Sequence, residues 1–383
     1  MARVSPSKLD AYTSDIVNLY RSLDTEIFLL LTRELRQGGA TSIAQWHANA
    51  LQKQNMINDE VIEALALVSG EAESLIRNAL EDAGRSAVNQ IDKELAGLLG
   101  MANKSRGTTR LMRAYMNQTF LDINNFVNQT LITTQFGPGV VARMYQDIVS
   151  KTTASFITGG LTFDQALERT VLSWVDKGVR SVFIDRGNNP WSIERYVETV
   201  LRSTINRTYN ELRMGRMRDY GVYTALVTTL MDAAPRCIEI QGRVVDTRPM
   251  GQAVSGYPSI EVFGYGRPDG PFGINCRHQK IPFIPGVSEN NQPIYDKKET
   301  VEKSEVRDKV RTLERGIRQN KKRLIIQEEL NSPNVQRTKN AIARQSQELQ
   351  KTIDGANWLS RDPARERVII PRANIIRDAA LIN

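Results

Sequence analysis

The sequence predicts a mainly α protein: a long helical N-terminal region, a small α+β module with a short sheet, a C-terminal antiparallel helical hairpin and an extended arm. Three observations carry that expectation. Apolar residues recur at intervals of three and four through most of the first 160 residues. Runs rich in β-formers, separated by Gly and Pro, are confined to residues 221–288. Beyond residue 296, two further helical stripes flank a single Asn-Ser-Pro-Asn break. The expected segments are therefore 1–160 (helical region), 161–288 (α+β module), 296–354 (basic hairpin) and 355–383 (arm).

In the first helix Ile16, Leu19, Leu23, Ile27 and Leu30 form one apolar stripe, and Gly38-Gly39 is expected to end it. A second helix begins near Ser42. A third starts at Asn58-Asp59-Glu60 and is expected to stop at Gly70. A fourth covers 71–99 with Leu75, Ala79, Ala83 and Ala87 inward, and a fifth carries Met112, Phe120 and Leu131 to a stop at Gly137-Pro138. A sixth ends at Gly159-Gly160. Residues 161–177 read as helix, 186–190 as a turn, and Ser192 as the N-cap of an arginine-rich helix reaching Tyr220. Residues 223–229, 238–245, 259–263 and 279–284 read as short strands joined by long loops. In the hairpin, Val306, Val310, Leu313, Ile317, Asn320 and Leu324 make a heptad seam with one polar interruption. The return helix offers Val335, Thr338, Ile342, Leu349 and Ile353, with Ser332 as N-cap and Pro333 in the first helical position.

At 383 residues, 40% hydrophobic and 25% charged, the chain is long enough for two or three folded domains and too apolar for a disordered one. Two cysteines make no disulfide scaffold, so folding in a reducing cytoplasm is expected. The first residues lack the apolar core of a signal peptide, and the densest apolar run, 27–31, is far too short to span a bilayer. The net charge of +8 is local: residues 296–383 hold 20 Lys+Arg against 13 Asp+Glu, and the first 295 hold 31 against 30. Any polyanion contact therefore belongs to the hairpin and arm, with Lys321, Lys322 and Arg323 as the candidate phosphate contacts.

Soft metal ligands are few. Cys276 and His278 stand at i, i+2, which on a strand turns both side chains to one face, and Cys237 on a neighbouring strand would complete a three-ligand zinc set. The absence of paired Cys-x-x-Cys spacings favours a buried thiol and a hydrogen-bonded histidine, so no cofactor is expected and the module is expected to fold without metal. A Cys-His nucleophile lacks a local orienting group, and Asp232, Glu239 and Asp246 read as surface salt-bridge partners of nearby arginines. The loop from Gly264 to Gly273 runs into Ile274-Asn275-Cys276 instead of Gly-Lys-Ser/Thr, so its glycines read as turn residues and not as a P-loop.

Phe263-Gly264-Tyr265-Gly266, Gly273-Ile274-Asn275-Cys276-Arg277-His278 and Pro282-Phe283-Ile284-Pro285-Gly286 resemble the phage minor capsid protein 2 family, which is related to the Mu F-like head morphogenesis proteins. Gln241-Gly242-Arg243-Val244, the 206–211 region and helices around Leu19 to Glu26, Trp46 and Val61 to Ala66 also fit, so the resemblance covers residues 16–288. Its motif residues here are Gln241, Gly242, Gly264, Gly266, Asn275, Cys276, Arg277 and His278; Leu230 and Cys237 stand where the family commonly has histidines. The resemblance implies a low-copy structural protein of a tailed-phage head, in the capsid interior or at the portal vertex and assembled in the host cytoplasm; it implies no known enzymatic activity, and the missing catalytic constellation makes a non-enzyme the expectation. Its implied partners are the portal and other head proteins, with roles in head assembly and in DNA packaging or delivery. Two other readings stay open: a non-specific DNA-binding packaging factor, and a metal- or thiol-dependent enzyme on the α+β module.

Overall fold

Long apolar stripes produce long helices. The computed structural model describes residues 6–37, 42–100, 113–114, 117–123, 133–134, 137–138, 140–158, 160–184, 190–267 and 269–369. Its helices are α1 (Pro6–Gln37), α2 (Ile43–Gln52), α3 (Gln54–Leu99), α4 (Val140–Ile157), α5 (Phe163–Lys177), α6 (Ile193–Asp219), α7 (Lys297–Glu329) and α8 (Val335–Asp354). The strands are β1 (Thr133–Thr134), β2 (Gly137–Pro138), β3 (Arg180–Ile184), β4 (Pro190–Ser192), β5 (Thr224–Val227), β6 (Val244–Asp246) and β7 (Lys280–Pro282). The protein is mainly α, as expected.

The chain forms two compact units that interleave along the sequence. One comprises Met1–Ile16, Glu73–Asp122 and Glu198–Asp308; the other Val17–Ala72, Ile123–Val197 and Lys309–Asn383. Each unit draws on three separate stretches of the chain.

Several boundaries differ from expectation. The predicted third and fourth helices are one helix, α3, which runs through Gly70. A glycine in an exposed helix interior costs only about 1 kcal/mol relative to alanine. Against that, Val61, Leu65, Val68, Ala72, Ile76, Ala79, Ala83, Ala87, Ile91 and Leu95 continue one buried stripe across the position. Ile76 lies in this stripe and Leu75 beside it, half-buried. In α1 the buried line runs through Tyr20 and Leu31, with Leu19 and Leu30 at its margins. Most of the expected fifth helix lies outside the described residues, as do Gly38-Gly39 and the 186–189 part of the expected turn; residues 117–123 are helical, and 133–138 contain the β1–β2 pair.

In the first unit, β5 is the centre of a three-stranded antiparallel sheet, order β6-β5-β7, with Ala225 opposite Val245 on one side and Pro282 on the other. Its core joins Ile91 and Leu95 of α3, Met217 of α6, and Ala225, Val227, Ile240, Val245, Ile260 and Phe272. Only Val244 and Val245 of the expected 238–245 strand are extended, at the start of β6, because Gly242 adopts φ 73° and turns the chain ahead of them. A Cβ at that position would also meet the Thr229 methyl at 3.1 Å. The expected strand at 259–263 is a 3-10 turn over Ile260–Phe263, started by Ser259, whose hydroxyl accepts from the Glu261 amide. The arginine-rich character of α6 has a packing cause: Arg213 and Arg216 are buried and pair with Glu94 and Asp92 of α3 at 3.1 and 2.5 Å.

In the second unit, Tyr20, Leu23, Ile27, Leu31 and Leu35 of α1 are buried, and Trp46 of α2 donates to the Leu35 carbonyl and packs edge-on against Phe163 of α5. Thr162 and Gln165 form a capping box at the start of α5. Ser192 caps α6 as expected, its hydroxyl accepting from the Arg195 amide. The antiparallel hairpin is present: Val310, Ile317, Leu349 and Ile353 are its buried seam, Asn320 donates to Gln345 at 2.8 Å and Thr338 to Gln327 at 2.6 Å. The return helix starts two residues later than expected, with Asn334 and not Ser332 in the cap position; the Ser332 hydroxyl instead accepts from the Asn334 amide within the turn. The arm docks on the hairpin through Leu359 and through Arg318, which donates to the Arg365 carbonyl.

Candidate functional site

The site in the first unit is built by α6. Asn206, Asn210 and Arg213 lie at i, i+4 and i+7 on one helix face, and all three are buried. Asn206 donates to the Cys276 carbonyl at 2.8 Å and Asn210 to the His278 carbonyl at 3.1 Å. Asn210 also accepts from the Lys280 amide at 2.9 Å, and Arg213 donates to the Lys280 carbonyl at 2.8 Å. Asn275 enters this stretch at φ 58°, a left-handed conformation that asparagine tolerates better than most residues, and its amide donates to the Ser203 hydroxyl. The backbone from 275 to 280 is thus fixed residue by residue.

Cys276 and His278 sit on this pinned segment, before β7 begins, and Cys237 ends a 3-10 turn over Pro235–Cys237; none of the three is on a strand, contrary to expectation. They nevertheless meet. The Cys237 and Cys276 sulfurs are 3.9 Å apart, Cys276 Sγ lies 3.5 Å from His278 Nδ1, and the ligand atoms of all three fall within 4.8 Å of one another. All three are buried, with Ala233, Leu230 and Ile238 packed around the sulfurs.

The hydrogen bond from Cys237 holds the Cys276 thiol well below the usual thiol range, against burial and with help from His278. The same bond, with burial, pushes the Cys237 thiol up. On the far side of the imidazole, His278 Nε2 is 3.3 Å from Gln241 Oε1, which also accepts from the Leu230 amide at 3.1 Å. Gln241, a motif residue, therefore orients the ring.

The glycine loop has a different task from phosphate binding. Gly264 and Gly266 take φ 82° and 87° on either side of Tyr265. Tyr265 caps Lys280, whose ammonium lies 2.8 Å from the phenol oxygen and 4.1 Å from the ring centre, with Phe272 at 4.7 Å. Burial pushes Lys280 down to about 7 while Glu211 opposes the shift. A cavity of about 250 Å³ opens here, lined by Arg207, Glu211, Arg267 and Lys280 among others.

The carboxylates considered for catalysis are ion-paired, two of them in the interior and not at the surface as expected. Asp232 binds Arg277 at 2.7 Å and Arg307 at 3.2 Å; Asp246, fully buried, binds Arg248. Exposed Glu239 pairs with Lys297. Arg277 of the motif thus serves Asp232.

The basic run of the hairpin requires a correction. Lys322 is buried in the second unit, where it donates to Asp24 and lies 4.0 Å from Glu194, and Arg323 pairs with Asp176. Lys321 remains half-buried. Heptad phase explains this: Lys322 follows Arg318 by four residues, on a face that α7 turns inward, where a phosphate contact is not available to it.

Asn206 and Asn210 fall in the 206–211 stretch that carries the resemblance, which assigns them no role, and Arg213 lies outside it. Their signal was present as polar side chains at i, i+4 and i+7 among the apolar positions of α6.

A family profile described as Phage minor capsid protein 2 matches residues 4–354. A "Structural protein" of Lactococcus phage LL-H is 32% identical over 338 residues, covering 87% of this chain and 91% of that protein. A "Structural protein" of Lactococcus phage mv4 is 34% identical over 113 residues, 29% of this chain and 92% of that protein. No solved structure matches.

Proposed function

This chain belongs to the phage minor capsid protein 2 family and is a structural phage protein, and from that premise we propose that it is a low-copy part of the virion head, seated at the portal vertex, that acts by binding other head proteins. In this reading it supports head assembly and DNA packaging or delivery, and does so without catalysis.

The observation that carries the proposal is that Lys322, the middle residue of the hairpin's basic run, is buried and ion-paired inside the second unit. Lys322 and Arg318 are used on Asp24 and Glu194, so the segment with the strongest local charge serves internal packing before it serves a polyanion. The first unit, by contrast, leaves apolar side chains in solvent close to one another: Met250 is 61% exposed and Val262 58%, and the Met250 amide donates to Glu261. Val254, at 80%, extends the same loop region. Exposed apolar anchors of this kind suit a protein partner. Packaged DNA would then be touched only through phosphates, without sequence preference.

Complementation of a phage lacking the protein tests the reading. Met250→Glu with Val254→Glu should leave melting unchanged and reduce recovery with portal by about tenfold or more. Unchanged recovery together with tight, sequence-specific DNA binding would favour the packaging-factor reading instead.

A further inference from the structure

We propose that Cys237, Cys276 and His278 bind a zinc ion that staples the Pro235–Cys237 turn to the Cys276–His278 segment of the first unit. This goes beyond the capsid reading and does not depend on it. It also reverses the expectation from ligand spacing that the module folds without metal.

Four observations support it. The first is metric. With Zn–S bonds of about 2.3 Å and a Zn–N bond of about 2.05 Å, a tetrahedral centre has S···S edges of about 3.8 Å and S···N edges of about 3.5 Å. The structure has 3.9 Å between the sulfurs and 3.5 Å between Cys276 Sγ and His278 Nδ1.

The second is the tautomer. The Leu230 amide can only donate, so the Gln241 atom facing it is the oxygen, and that same oxygen faces His278 Nε2. Nε2 must therefore carry the proton. In the neutral ring Nδ1 is then left with its lone pair, 3.5 Å from Cys276 Sγ, the form a metal requires, and a carbonyl behind the ring is the usual support of a ligating histidine.

The third is preorganisation. Asn206 and Asn210 hold the Cys276 and His278 carbonyls, so two of the three ligands are fixed before any ion arrives.

The fourth is charge. Two thiolates neutralise Zn²⁺, so a site enclosed by Ala233, Leu230 and Ile238 buries no net charge when loaded. Loading moves the thiol protons to solvent, forms only metal–ligand bonds and oxidises nothing. Two sulfurs with an imidazole select zinc over magnesium or calcium, and among the described residues no fourth side chain joins the set. A disulfide would need the sulfurs at about 2.05 Å, far inside the observed 3.9 Å.

The full chain, expressed with added zinc and purified without chelator, supplies the test. Elemental analysis should find about one zinc per chain, falling below about a tenth in Cys276→Ser and in His278→Ala. Gln241→Ala should weaken zinc retention against a competing chelator by about 10–100-fold, because it frees the ring without removing a ligand. Should a ligand variant fail to fold, cobalt substitution of the unmodified chain decides alone: a sulfur-to-cobalt charge-transfer band with strong tetrahedral visible bands is expected. Metal-free protein with no cobalt band, zinc retained in Cys276→Ser, or the two cysteines recovered as a disulfide would each overturn the proposal.

Discussion

Lys322 donates to Asp24 across 298 residues of sequence, and both side chains are buried. Beside them Glu194 receives Arg318 at 2.6 Å and Arg21 at 2.9 Å. Asp24 also accepts from the Val179 amide at 3.0 Å. Five charged side chains from α1, the start of α6 and α7 thus form one interior network in the second unit.

Removing one partner from such a network leaves the others buried and uncompensated. Lys322→Ala is expected to cost about 3–5 kcal/mol of unfolding free energy by denaturant titration. Lys322→Met with Asp24→Asn should recover much of that loss, because the asparagine oxygen still accepts from Val179. A cost below about 1 kcal/mol for Lys322→Ala would mean that the lysine is solvated.

The network also sets acid sensitivity. Burial alone would raise Glu194, but Arg318, Lys322 and Arg21 override it and hold the carboxyl at about 2 against an ordinary 4.5. A carboxylate lowered on folding contributes stability that is fully present above its unfolded value and lost as pH falls toward its folded one. Melting temperature should therefore drop between about pH 4.5 and 2, and Glu194→Gln should be less stable at neutral pH with a shallower drop in that window. An unchanged acid slope in the variant would exclude Glu194 as its source.

Gly70 offers a test in the opposite direction. It is exposed within α3, and a Cβ built there meets nothing within 4 Å. Gly70→Ala should stabilise the protein by about 0.5–1 kcal/mol. Destabilisation would indicate that the helix ends at this glycine after all.

The hairpin seam predicts unequal effects at a seam residue and at the turn. Ile317 is fully buried, so Ile317→Asp should cost at least about 3 kcal/mol. Pro333 lies in the turn before α8, and Pro333→Ala should stay within about 0.5 kcal/mol. Thermal melts of the full chain distinguish them; equal effects would mean the seam is wrongly placed.

These elements also show what could be read without coordinates. Period-3.6 stripes located the helices and the hairpin because burial on one face is a local property of sequence. Gly70 misled because its cost is small beside a buried stripe running from Val61 to Leu95. Ile238 and Ile240 have strand propensity, yet Gly242 turns the chain and Ile240 joins the core from the turn. Cys237, Cys276 and His278 could be named from residue type alone. Their meeting depends on Asn206, Asn210 and Gln241, which reach Cys276 and His278 across 70, 68 and 37 residues of sequence and which no spacing rule connects. The burial of Lys322 was hidden for the same reason, since its partner Asp24 lies near the other end of the chain.

The most direct test of the central claim is quantitative mass spectrometry of purified virions combined with localised reconstruction of the portal vertex. The protein is expected in mature particles at a small fraction of the major head protein's copy number, with its density beside the portal. Absence from particles, or a copy number equal to that of the major head protein, would contradict that claim.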